Sequence, residues 1–233
     1  MSSLKERRGT DVNLRSGPQM REYAALADRI AADRPGRVLD WGCGWGQVSA
    51  LLRERGVDVR PFDYRPEEPG PGEARLERFP DLVCTFSPEP VALPFEDGSF
   101  DAVLSCGVLE HVRDPAGSLA ELHRVLRPGG RLYVTKLPNR RSYLEWLARR
   151  LGLYYHGQLP DDTLWSPREA REAAVAQGFA VTAVRLENML PLTLDHPRVS
   201  RLAGPIWTLN RLLSRVPGLN RLATNVEIDA VRR

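Results

Sequence analysis

The chain has 233 residues, 42% of them hydrophobic and 27% charged, with 33 Lys and Arg against 30 Asp and Glu. That balance suits one substantial core and excludes a disordered, collagenous or coiled-coil chain. Its formal charge of +3 and pI near 8.9 are too mild for a nucleic-acid protein unless the charge clusters. The three cysteines, Cys43, Cys84 and Cys106, lack CxxC or Cys/His spacing. Neither a disulfide framework nor a zinc site is expected, and a reducing cytoplasm suits them.

Residues 1–17 read as a charged, flexible leader without the apolar region of a signal peptide, and no stretch reaches the roughly 20 apolar residues of a membrane span. After Pro18, apolar residues at Met20, Tyr23, Ala24, Ala27, Ile30 and Ala31 predict a helix ending near "DRPG". "RVLDW" then reads as a first strand, "GCGWG" as a turn, "GQVSALLRERG" as a helix and "VDVRPFD" as a second strand: a βαβ unit. Residues 64–80, rich in Pro, Gly and charge, predict an irregular connection.

"DLVCTF", "SFDAVLSC" and "RLYVTKLP" predict strands three to five, with "PAGSLAELHRVLRPGG" a helix opened by Pro115 and stopped by the glycines. "RRSYLEWLARRLG" and "SPREAREAAVAQG" read as helices, the second with Ser166 as N-cap and Pro167 at its first position. "FAVTAVRLEN" and "ATNVEIDAVRR" close the pattern as strands. Alternating strands and helices predict an α/β, doubly wound, mostly parallel sheet covered by helices on both faces.

In such a sheet ligands bind beyond the carboxyl ends of the strands, where Gly42, Gly44 and Gly46 fall. Their GxGxG spacing differs from the dinucleotide GxGxxG, whose third glycine position holds Gln47, and no GK[ST] of a phosphate loop follows. "VLDWGCGWGQVSALL" resembles the first motif of class I S-adenosylmethionine-dependent methyltransferases. Residues 92–135, "ALPFEDGSFDAVLSCGVLEHVRDPAGSLAELHRVLRPGGRLYVT", resemble the central block of the subgroup that includes ubiquinone and menaquinone biosynthesis methyltransferases. "TLWSPREAREAAVAQGFAV" resembles that subgroup's late helix and strand.

The resemblance implies a Rossmann-like sheet of seven strands, order 3-2-1-4-5-7-6 with the last antiparallel, forming one domain over 18–233. It implies S-adenosyl-L-methionine as cofactor and a small-molecule methyl acceptor. Asp40 would help place the methionine end, and Gly42, Cys43, Gly44 and Gly46 would pass beneath it. Asp63 would accept hydrogen bonds from the ribose hydroxyls. Where the subgroup carries an Asp for the adenine amino group, this chain has Glu89 between two prolines, so Glu89 or the backbone near Val91 would serve. Cys106 and Gly107 would border the methyl group, although Cys106 also reads as a small buried side chain.

Methyl transfer asks mainly for in-line positioning, because the sulfonium is already activated. His111 and His156 are the two candidates for a general base, each with a structural alternative. No metal is expected. Two segments fall outside the shared motifs. Residues 147–166 are expected to build the acceptor pocket, with Tyr154, Tyr155 and Trp165 as lining, which favours an apolar or lipid-like acceptor methylated at oxygen, carbon or nitrogen. Residues 196–223 set an apolar stripe beside arginines interrupted by Gly204 and Pro205, which reads first as a lid or packed insertion, then as a peripheral membrane contact, or as a homodimer contact. Arginines without interleaved aromatics argue against nucleic acid. The alternative function is a non-catalytic cofactor-binding or assembly protein of this fold.

Overall fold

A computed structural model describes residues 16–64, 79, 81–152, 162–193 and 201–233. In chain order the elements are α1 Gly17–Ala32, β1 Arg37–Trp41, α2 Gln47–Glu54, β2 Asp58–Tyr64, β3 Thr85–Ser87, β4 Phe100–Cys106, α3 Pro115–Val125, β5 Leu126–Pro138, α4 Tyr143–Arg150, α5 Pro167–Ala176, β6 Phe179–Glu187, α6 Ala203–Ser214 and β7 Asn225–Arg232. Short 3-10 turns occupy Leu109–His111 and Leu219–Leu222.

The strands form one seven-stranded sheet in the order β3-β2-β1-β4-β5-β7-β6. β1 through β5 pair in parallel, and β7 runs antiparallel to both β5 and β6. Neighbouring residues of the central strands face opposite sides. Leu39, Val103, Leu132 and Val134 join a core with Leu119 and Leu122 of α3 and Ala170 and Ala174 of α5. Val38, Ala102, Leu104 and Tyr133 join a second core with Ala27 and Ile30 of α1 and Val48 and Leu52 of α2. Both sheet faces are therefore covered, which explains why β1 and β4 read as continuous apolar runs rather than alternating ones.

Local chemistry sets several boundaries. Pro61 lies inside β2 at a position where β3 has not yet begun to pair, since that ladder starts at Phe62, so the missing N–H costs no ladder bond. Ser166 caps α5 through a capping box with Glu169. Two expectations need correction. β5 begins at Leu126 instead of Arg131: Leu126 already pairs with Phe100, and the chain bulges through Gly129 (φ 76°) before resuming register at Arg131. β3 is shorter than "DLVCTF", covering only Thr85–Ser87. The expected interruption is present: the helical course stops at Leu202, and Gly204 and Pro205 lie in the first turn of α6, where a missing N–H is tolerated.

Candidate functional site

The parallel strands bring the ends of β1, β2, β4 and β5 to one edge, and the glycine turn folds over it. Gly42 and Cys43 both donate their backbone N–H to the Phe62 carbonyl of β2, at 2.8 and 2.9 Å. Gly42, Gly44 and Gly46 all have positive φ, at 73°, 54° and 76°. Their surroundings differ. A Cβ on Gly42 would stand 2.4 Å from Val108, so that glycine admits a neighbouring side chain. A Cβ on Gly44 would meet nothing within 4 Å, so that glycine borders open space. Gly46 holds the left-handed position that opens α2.

Asp40 is buried at the end of β1 and accepts a hydrogen bond from Ser49 Oγ at 2.6 Å. Burial pushes its carboxyl up to about 6 against the pull of that hydrogen bond, with the nearby charge of Asp63 adding to the rise. Asp63, half-buried near the end of β2, accepts from the Tyr64 N–H at 3.0 Å. The turn thus lies between two carboxylates on adjacent strands, a negative field suited to a cationic ligand that also offers hydroxyls. Cys43 Sγ lies 3.5 Å from Cys84 Sγ, both free thiols.

At β4, Gly107 (φ 70°) donates to the Thr135 carbonyl at 3.0 Å, and burial pushes the Cys106 thiol up to about 12. His111 Nδ1 lies 2.8 Å from Asp162 Oδ1, and Nε2 lies 3.8 Å from Glu110 Oε1. The carboxylate of Asp162 is buried while the imidazole remains partly exposed, an arrangement that fixes the ring. Glu89 is exposed and donates its backbone N–H to Ser87 Oγ; Val91 is half-buried beside Gly117. Trp165, expected in the acceptor pocket, is instead buried in the core, because its backbone is tied into the sheet end by bonds to Pro138 and Arg140. Tyr154, Tyr155 and His156 lie outside the described residues.

Sequence reasoning missed a polar cluster at the same edge. Lys136, on β5, has φ 64°, rare for a residue with a side chain, and its ammonium meets Glu22 of α1 at 2.5 Å while lying 4.8 Å from the centre of the Tyr23 ring. Burial opposes its charge, yet Glu22 and its neighbours hold the ammonium above its ordinary range. Glu22 also accepts from Gln19 and from Asn188, which has φ 69° and itself accepts from Asn210 of α6. A lysine closing the otherwise apolar "YVTKLP" was the one available signal.

A family profile described as a methyltransferase domain matches residues 39–134, the stretch that holds the glycine turn, Asp63 and His111. Over that stretch the chain is similar to methyltransferases. Among curated proteins, this domain is 34% identical over 124 residues to a demethylmenaquinone methyltransferase of Thermus thermophilus, covering 52% of this chain and 56% of that one. It is 42% identical over 113 residues to the demethylmenaquinone methyltransferase of Beutenbergia cavernae, covering 48% and 45%. The chain therefore spans about half the length of the curated relatives it matches. A crystal structure of a Thermotoga maritima S-adenosylmethionine-dependent methyltransferase, described as a possible histamine N-methyltransferase, shares the fold with a TM-score of 0.63 at 19% identity, covering 98% of this chain and 95% of that one.

S-adenosylmethionine is the cofactor that this likeness implies, and two observations fit it. The space beside Gly44 admits a ligand against bare backbone, and Gln47 Oε1, at the start of α2, is buried with no hydrogen-bond partner. No helix among the described residues is long and apolar enough to cross a membrane.

Proposed function

We propose that this protein transfers a methyl group from S-adenosylmethionine to a small, apolar or lipid-like acceptor, at oxygen, carbon or nitrogen. The observation that carries the reading is the glycine turn, open at Gly44 and flanked by Asp40 and Asp63 on neighbouring strand ends. Relatives whose names carry demethylmenaquinone support an apolar acceptor.

In this reading Asp63 accepts hydrogen bonds from the ribose hydroxyls. Asp40 offers its charge to the ammonium of the methionine end, while the backbone of Gly42, Cys43, Gly44 and Gly46 gives close approach. Glu89 and Val91 border the adenine, and Cys106 and Gly107 border the reacting end. When bound, the cofactor would supply an activated methyl, its sulfur keeping the bonding pair as the leaving group while the acceptor's own pair forms the new bond. His111, held by Asp162, takes the acceptor's proton where one must be removed. The Lys136–Glu22 pair fixes α1 against β5 and sets a rigid polar wall at the same sheet edge.

Isothermal titration with S-adenosylmethionine tests the reading: a folded sample that gives no heat ends it. Asp63→Ala is expected to weaken binding by about 10- to 100-fold, the loss of hydrogen bonds to a charged group. A labelled-methyl screen across phenols, quinols, sugars and lipids then separates an enzyme from a cofactor-binding protein without turnover.

A further inference from the structure

α6 docks on the rest of the protein by the wrong face for a soluble helix. Its buried residues are Ala203, Asn210 and Ser214. Asn210, only 2% exposed, bonds Asn188 and the Leu190 N–H, and Ser214 bonds the Asn210 carbonyl. The leucines turn outward: Leu202, Leu209 and Leu212 are 55%, 49% and 56% exposed. Val216, Leu219 and Leu222 continue the exposed series into the 3-10 turn. A helix that buries an asparagine and exposes its leucines leaves apolar surface in water, the mark of an interaction face.

Charge identifies the occupant. Residues 201–222 contain Arg201, Arg211, Arg215 and Arg221 and no Asp or Glu. All four arginines lie on the exposed side, and, against the expectation of arginines without interleaved aromatics, the Arg211 guanidinium stacks 4.7 Å from the Trp207 ring centre. α4, which leaves the same sheet edge after β5, exposes Trp146, Leu147 and Leu151, with Arg150 stacked 5.3 Å from the Trp146 ring. We propose that this face, α6 with the turn that follows it, rests on an anionic lipid surface. Leucines entering the acyl boundary with arginines at headgroup level satisfy both halves of its chemistry. A second copy fits worse, because a two-fold contact would set this patch against itself, four arginines a side, with the half-buried Glu187 beside Arg211 and Arg215 offsetting only part of that charge.

Placement gives the contact a use. Asn210 links α6 through Asn188 and Glu22 to Lys136, so the lipid-facing helix is tied to the edge where the glycine turn opens. An apolar acceptor drawn from a bilayer would arrive beside the site without crossing water. The membrane contact itself does not depend on methyl transfer.

Flotation of the full chain with vesicles of equimolar phosphatidylglycerol and phosphatidylcholine tests this directly. The wild type is expected to float, to release as salt rises, and to ignore pure phosphatidylcholine. Leu209→Ser with Leu212→Ser, both at exposed positions and checked for fold by circular dichroism, should weaken binding by about tenfold or more. Arg211→Gln with Arg215→Gln should weaken it by about fivefold per arginine. Absence of flotation, or flotation unchanged in both variants, overturns the proposal. So does a wild-type dimer in light scattering that the leucine variant turns into a monomer, which would assign the face to self-association.

Discussion

The glycines of one turn divide by what their missing side chains would meet. Gly42→Ala would drive a methyl into Val108 at a positive φ, so it should cost about 1–3 kcal/mol of stability in urea denaturation. Gly44→Asp meets open space and an aspartate tolerates its φ, so the fold should survive while calorimetry finds cofactor binding lost to the filled, oppositely charged approach. Asp40 supplies a pH dependence. Its carboxyl, raised to about 6 from an ordinary value near 3.9, binds its proton more tightly folded than unfolded. Its contribution therefore favours the folded state at low pH and is lost as pH rises from about 4 through about 6. A cationic ligand prefers the ionised form, so affinity should fall by up to about tenfold per unit as pH drops below about 6. Asp40→Asn should flatten that slope in titrations at about pH 5 and pH 8. The position of the glycines and both aspartates at the strand ends was legible from spacing and resemblance, because a turn at positive φ admits few residue types. Asp162 was not, since its partner His111 is distant in sequence and meets it only after folding.

Whole elements were read from periodicity, and the errors fell where pairing overrode local signals. "RPGG" reads as a helix stop, yet Leu126 pairs with Phe100 before the glycines, because a neighbouring strand was available to take its backbone groups. α1 shows a second kind of override. Its apolar stripe was visible, but Glu22 on the same helix becomes the meeting point of Lys136, Gln19 and Asn188. Lys136→Met should therefore destabilise by about 3–5 kcal/mol by stranding a half-buried carboxylate. Glu22→Gln added to Lys136→Met should recover most of that loss in the same urea experiment, because no unpaired charge then remains. A double variant as unstable as the single one would place the stability in packing of the lysine stem.

For the molecule as a whole, a cofactor that binds the folded state alone stabilises it by mass action. S-adenosylhomocysteine at about 100 times its dissociation constant should add about 2.7 kcal/mol. For a chain of this size that corresponds to a rise of about 5–10 °C in Tm by scanning calorimetry. Gly44→Asp should abolish the rise. Helical crossovers through α2 and α3 join parallel β1 to β2 and β4 to β5, and β7 pairs antiparallel between β5 and β6.

By itself the sequence determined the alternation of strands and helices and the strand that bears the glycine turn. Those features depend on local patterning and on backbone freedom, which neighbouring residues encode. Only the tertiary structure decided that Lys136, Glu22 and Asn188 converge, that Trp165 belongs to the core, and that α6 turns its leucines outward. A helical stripe shows that one face is apolar, but which face meets the protein is set by what the rest of the fold presents to it. Here the fold presents Asn188 to Asn210, and the leucines are left for a partner.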